Sequence, residues 1–160
     1  MYDSKIINFT FFIIFMSNIL INVDHGSLPA CVQDIQTDLG IHDFQFGILG
    51  SLVYAGITIG SAISSWIFQN SVFIKPSLYL SLLLNAISLI LFTATNYFYV
   101  DAILRVLIGI FQVIITIYNP VWADIFAKEN LKSIWLTFLI LGSPLGLVLG
   151  FALTSIMKSV

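Results

Sequence analysis

Long uncharged runs constrain this chain more than any other feature of its sequence. Residues 44–74 contain no charged side chain, and the same holds for 6–23, 76–100 and 133–157. A helix needs about 20 apolar residues to cross the hydrocarbon core of a bilayer. Transmembrane barrel strands would alternate polar and apolar residues, and these runs do not. We therefore predict an all-α, polytopic bundle with five spans, at about 6–28, 46–69, 76–95, 99–127 and 133–157.

The low fraction of charged residues excludes most other classes of protein. Only 9% of the residues are charged, against about 25% in an ordinary soluble domain. The net charge of −2 and the scattered basic residues argue against a nucleic-acid partner. Cys31 is the single cysteine, so an internal disulfide or a thiolate metal cluster cannot form. We predict an integral membrane protein whose first partner is the lipid bilayer.

Charges between the spans predict an orientation. Four of the five lysines would lie on one side of the membrane: Lys5, Lys75, Lys128 and Lys132. The other side would carry four aspartates and one lysine: Asp34, Asp38, Asp43, Asp101 and Lys158. Lysine accumulates on the cytosolic side of membrane proteins. We expect a cytosolic N-terminus, a single transmembrane domain over 1–160, and an extracytosolic loop over 29–43 that Pro29 opens by ending the first helix. Within this loop, residues 33–39 could form a short extension or an interfacial helix.

Two of the predicted spans carry glycines at intervals of four residues, which places them on one helix face. The positions are Gly56 and Gly60 in the second span, and Gly142, Gly146 and Gly150 with Pro144 in the fifth. Small residues let helix backbones approach closely in lipid, and proline favours a kink. Plain packing is the stronger explanation for the first pair. The glycine series that contains a proline suits an interface that rocks or slides.

Ionisable and amide side chains at membrane depth are costly, and they mark candidate functional positions. Asp24 and His25 stand at the end of the first span, where a carboxylate beside an imidazole could exchange a proton near neutral pH. A solvated helix end is the alternative. Arg105 lies inside the fourth span, with Gln112 two turns further along the same face and Asn119 beyond it.

The fourth span can be interpreted in two ways. Arg105 could reach the outer interface, or it could face the bundle and pair with Asp24 or an anionic substrate. In the second case its face would line a polar pathway. At the cytosolic end of this span, Asp124 and Lys128 are candidates for a gate, although such charges more often form a solvated rim.

Several segments of the chain together carry a family resemblance. They are 22–29 (NVDHGSLP), 46–56 (FGILGSLVYAG), 105–112 (RVLIGIFQ), 118–124 (YNPVWAD) with 133–135 (SIW), and 142–146 (GSPLG) with Gly150. These segments resemble the major facilitator superfamily and, within it, the Spinster-like transporters. The resemblance implies the first five helices of a twelve-helix fold that binds substrate between two halves. It also implies that the glycine-proline segment lies where the halves meet.

The chain departs from the family pattern at three places. His25 stands where an arginine is typical, and Gln112 stands where an acidic residue is frequent. The cytosolic segment of the form Gly-x-Leu-x-Asp-Arg is expected within 64–75, and this chain has no Asp or Arg there.

Two functions follow from these patterns. The first is a secondary active transporter that moves a small or amphipathic organic solute by alternating access, with a proton as the candidate coupling ion. The second is a truncated, non-transporting membrane fragment or isoform that packs with a missing C-terminal half or a full-length relative. No metal-ligand cluster, nucleotide-binding loop or nucleophile with its base is recognisable. Neither a cofactor nor an enzymatic activity is therefore predicted.

Overall fold

The computed structural model describes residues 4–159, and within them every regular element is a helix. The helices are α1 (Ser4–Ile21), α2 (Val23–Ala30), α3 (Val32–Leu39), α4 (Asp43–Ile67), α5 (Ser71–Ala94), α6 (Phe98–Phe126) and α7 (Glu129–Ser159). The α1 and α2 helices together form one apolar stretch, and α4 to α7 supply four more, so the described residues hold five helices long enough to cross a membrane. The predicted all-α, five-span fold class is confirmed.

Pro29 does not close the first helix, contrary to the prediction from sequence. It lies inside α2, which continues to Ala30. A proline lacks only its own N–H and does not prevent the next residue from bonding back. The amide of Cys31 donates to the carbonyl oxygens of Ser27 and Leu28, each at 3.1 Å.

Within the segment predicted as the extracytosolic loop, 29–43, Val32–Leu39 form the α3 helix. Val32, Ile35 and Leu39 share one side of α3, which explains why this short stretch folds. The helix ends at Gly40, whose φ of 61° is costly for other residues. The amide of Ile41 then donates to the carbonyl of Gln36 at 3.0 Å, which closes the helix end in a Schellman motif.

The third span begins five residues before the predicted start at Pro76. The amide of Val72 donates to the side-chain oxygen of Asn70 at 3.4 Å, so Asn70 caps the first turn of α5. Pro76 therefore lies within the helix. The fifth span also starts earlier than predicted, at Glu129, and it runs through Pro144 to Ser159.

The chain divides into two compact units. Unit 1 contains the chain up to Cys31 and from Tyr118 onward, and unit 2 contains Val32–Ile117. Helices α1, α2 and α7 belong to unit 1, whereas α3, α4 and α5 belong to unit 2. The α6 helix contributes to both units.

In unit 1, α7 packs its glycines against the backbone of α1 and α2, and we call this contact the first seam. A Cβ atom added at Gly146 would lie 2.8 Å from the Cβ atom of Asn22, and one at Gly150 would lie 2.9 Å from the carbonyl carbon of Val23. Gly26 of α2 reciprocates, because its Cβ atom would lie 2.8 Å from the Phe151 amide. Real Cβ atoms essentially never come so close. The missing side chains thus let the helices touch.

An aromatic cluster closes one end of unit 1. The Trp135 ring stacks on Phe11, with centroids 4.1 Å apart, and it lies parallel to Trp122 at 6.1 Å. Ala123 is fully buried beside it, together with Leu139. These contacts tie α1, the end of α6 and the start of α7 to one another.

In unit 2, α4 and α6 meet in the same manner, and we call this contact the second seam. A Cβ atom at Gly60 would lie 2.6 Å from Cγ1 of Val113, and one at Gly109 would lie 2.9 Å from the Ile57 amide. A Cβ atom at Gly56 would lie 3.1 Å from the Cα atom of Gly109. The α4 and α6 backbones approach each other at these positions because the glycines have no side-chain volume.

Alanine at Gly146 should loosen the first seam. The added methyl group has no space between α7 and Asn22, and we expect a loss of about 1–3 kcal/mol in the free energy of unfolding. Unfolding of the purified chain in mixed micelles, followed by circular dichroism, measures it. Gly47→Ala is the matched control, because its Cβ atom meets nothing within 4 Å. Equal losses in both variants would contradict the packing role.

Candidate functional site

Arg105 is buried within a candidate membrane span. Its side chain is 2% exposed, and its guanidinium carbon lies 4.0 Å above the centre of the Phe92 ring. A guanidinium over an aromatic face is attracted by the ring quadrupole. The ring comes from α5 and the arginine from α6, so this contact joins the two helices inside unit 2.

Asp101 was not selected from the sequence, yet it is as buried as Arg105. It is 2% exposed, and its carboxylate accepts a hydrogen bond from the Thr95 hydroxyl. Charge counting placed Asp101 among residues on the extracytosolic side. Its distance of four residues from Arg105 was the signal that could have singled it out.

Gln112 continues the buried face of α6. It is 3% exposed, and Gly109 lies between it and Arg105 on the same face and is also buried. An arginine, a glycine and an amide thus follow one another along one enclosed side of the helix within unit 2. That arrangement agrees with the bundle-facing interpretation of Arg105.

Asp24 and His25 are partly buried in unit 1. Nε2 of His25 lies 4.0 Å from Oδ1 of Asp24, and both side chains are 13% exposed. The pair lies in the first turn of α2, directly after Asn22, which separates α2 from α1. This distance lies within ion-pair range but is too long for a direct hydrogen bond.

A ladder of polar side chains crosses the first seam. Asn18 donates to the carbonyl of Leu139 at 2.7 Å, and Ser143 donates to Oδ1 of Asn22 at 2.9 Å. Asn22 in turn donates to the carbonyl of Asn18 at 2.7 Å. Two asparagines one helical turn apart, Asn18 and Asn22, were the available signal.

The remaining predicted residues lie near the end of α6 in unit 1. Asn119 is 6% exposed, and among the described residues its Nδ2 atom has no hydrogen-bond partner. Asp124 forms an ion pair with Lys132 at 2.8 Å. Lys128 lies exposed in the turn between α6 and α7.

The predicted cavity residues divide between the two units. Asp24, His25 and Asn119 belong to unit 1, whereas Arg105 and Gln112 belong to unit 2. The structure brings Asp24 to His25 within unit 1, and it aligns Arg105 with Gln112 within unit 2. Pairing of Arg105 with Asp24 stays a prediction.

Alanine at Ser143 should weaken the ladder. The hydroxyl bonds across the first seam, and hydrogen bonds between membrane helices contribute about 0.6 kcal/mol on average. We expect a loss of that size in the free energy of unfolding. Ser61→Ala is the matched control, because that partly buried hydroxyl donates to the carbonyl of Ile57 in its own helix. If the two variants lose the same amount, the bond across the seam contributes nothing.

Comparison with known proteins identifies the family to which the chain belongs. No curated protein sequence and no solved structure matches the chain. A family model described as Major Facilitator Superfamily matches residues 7–159, which is nearly the whole chain. The members of this family are membrane transporters of small solutes rather than enzymes. With five apolar helices and a match of that extent, the chain belongs to the Major Facilitator Superfamily.

Proposed function

We propose that this chain serves secondary active transport of a small or amphipathic organic solute by alternating access. The proposal also includes the Spinster-like branch of the family and a cytosolic N-terminus. The family membership supports transport in general. The solute class, the branch and the orientation rest on the sequence patterns described above.

The observation that carries the proposal is the buried polar face of α6. Arg105 and Gln112 are 2% and 3% exposed inside a 29-residue apolar helix. A charged side chain at membrane depth is expensive, and it is retained where it contacts a substrate, an ion or a partner. A guanidinium recognises carboxylate, phosphate or sulfate groups through paired hydrogen bonds. An anionic headgroup on an amphipathic solute fits this chemistry.

A proton is the coupling ion that the residues favour. Asp24 and His25 lie 4.0 Å apart and are mostly shielded from solvent. Protonation of either one changes the charge of the pair, which gives a proton gradient a group to act on. That the residues of both units line one central cavity stays a prediction.

The conformational roles are also proposals. Gly142, Gly146 and Gly150 pack against α1 and α2, which supports their role in helix packing. Rocking at this series stays a prediction. The cytosolic gate proposed at Asp124 and Lys128 also includes Lys132, because Lys132 forms an ion pair with Asp124.

Uptake into liposomes tests the transport proposal. We expect saturable, proton-driven uptake of a short alkyl sulfate such as hexyl sulfate, which stays ionised and crosses lipid slowly on its own. Arg105→Gln removes the anion contact and should reduce uptake about tenfold or more. Lys75→Gln is the matched control, because it removes the same charge at an exposed position.

Two results would argue against transport by this chain alone. An absence of saturable uptake for a panel of alkyl sulfates and phosphates would contradict the proposal. Uptake that requires co-expression with a full-length relative would favour a chain that packs with a partner.

The single native cysteine tests the orientation. A cytosolic N-terminus places Cys31, which follows the first span, on the extracytosolic side. In intact cells that carry the chain in the plasma membrane, an impermeant maleimide should therefore label Cys31. A Lys75→Cys variant in a Cys31→Ser background should be labelled only after permeabilisation. The reverse pattern would invert the proposed topology.

A further inference from the structure

A buried carboxylate precedes the buried guanidinium of α6 by one helical turn. Asp101 and Arg105 are each 2% exposed. Arg105 is the only arginine of the chain, and Asp101 belongs to the first turn of α6. The proposed transport function uses Arg105 and assigns nothing to Asp101.

Two residues at the end of α5 and in the following turn hold this pair in place. The Thr95 hydroxyl donates to a carboxylate oxygen of Asp101. The Phe92 ring lies 4.0 Å from the guanidinium carbon of Arg105. The carboxylate and the guanidinium are thus each fixed by a contact from outside α6, and all four residues belong to unit 2.

The electrostatics favour this order of charges. Residues four apart on a helix are neighbours, and an acid on the N-terminal side of a base is the better arrangement. A carboxylate in the first turn also interacts favourably with the positive end of the helix dipole. Asp101 and Arg105 have this spacing and this order on α6, and both are buried. In a bilayer, such a neighbour lowers the cost of burying a guanidinium.

We propose that Asp101 is the positioning residue for Arg105. Its carboxylate, fixed by Thr95, balances the guanidinium charge and orients the arginine side chain against Phe92. The guanidinium therefore keeps one direction when no solute is bound. That this direction serves solute binding rests on the proposed function, whereas the positioning itself does not.

The sole arginine provides a direct readout. Selective ¹⁵N-arginine labelling of the full chain in micelles should give a single Nε–Hε resonance, which belongs to Arg105 without further assignment. Asp101→Asn keeps the shape of the side chain and removes its charge. We expect this variant to move the resonance by more than its linewidth and to lower the Tm by about 6–12 °C.

Rescue and control variants separate positioning from general stability. Asp101→Glu restores the charge and should return the resonance toward its original position. Asp38→Asn removes an exposed aspartate and should leave the resonance unmoved. If Asp101→Asn unfolds the chain, Thr95→Val offers a milder change. It removes the hydroxyl that holds the carboxylate and should also move the resonance.

The outcomes are distinct from those of the transport assay. The positioning role is wrong if the Arg105 resonance stays in place in both Asp101→Asn and Thr95→Val. It is also wrong if Asp38→Asn moves the resonance as far as Asp101→Asn does. A chain without transport activity would still show the expected shifts, because the resonance reports the side chain and not the solute.

Discussion

Backbone contact between helices is the interaction on which the rest of the structure depends. Lipid offers little hydrophobic drive for helix association, so packing and hydrogen bonds must hold each unit together. The two long helices α4 and α7 solve this problem with the same spacing of buried residues. These are Leu49, Val53, Gly56, Gly60 and Ser64 in α4, and Trp135, Leu139, Gly142, Gly146 and Gly150 in α7. In each helix two large buried side chains come first and small residues follow. The part with the small residues is where the backbone approaches that of the neighbouring helix.

Close approach then decides where polar groups can be placed. Across the first seam the backbones are near enough for Asn18 to reach the carbonyl of Leu139 and for Ser143 to reach Asn22. A helix that moves along this seam has to exchange those bonds for others. In unit 2, the ends of α5 and α6 enclose a charged pair instead, and Phe92 and Thr95 supply the partners that water would otherwise provide. Packing and polar chemistry are therefore parts of one arrangement in both units.

The membrane-spanning helices could be predicted well from the sequence because they are indicated by long, almost uncharged runs to which many residues contribute. A run such as residues 44–74 leaves few alternatives, and glycines four residues apart indicate a shared face. Burial of single side chains was harder to predict. A count of charges treats Asp101 as one more acid, and only the three-dimensional structure shows that it is buried and bonded to Thr95, the residue after α5. The ends of helices were also missed, since Asn70 caps α5 well before Pro76. Caps and partners depend on a few local contacts, whereas spans depend on many residues at once.

The close contacts at the two seams also limit how the gene can vary. Seven of the ten glycines lie where an added Cβ atom would meet another helix at about 3 Å or less: Gly26, Gly56, Gly60, Gly109, Gly142, Gly146 and Gly150. Any amino-acid replacement of glycine enlarges the side chain, so every single-nucleotide change at these codons that alters the amino acid adds volume. Gly47, with open space around it, carries no such restriction. Variation in this protein should therefore accumulate on surfaces that face lipid and be scarce along two narrow lines where backbones meet.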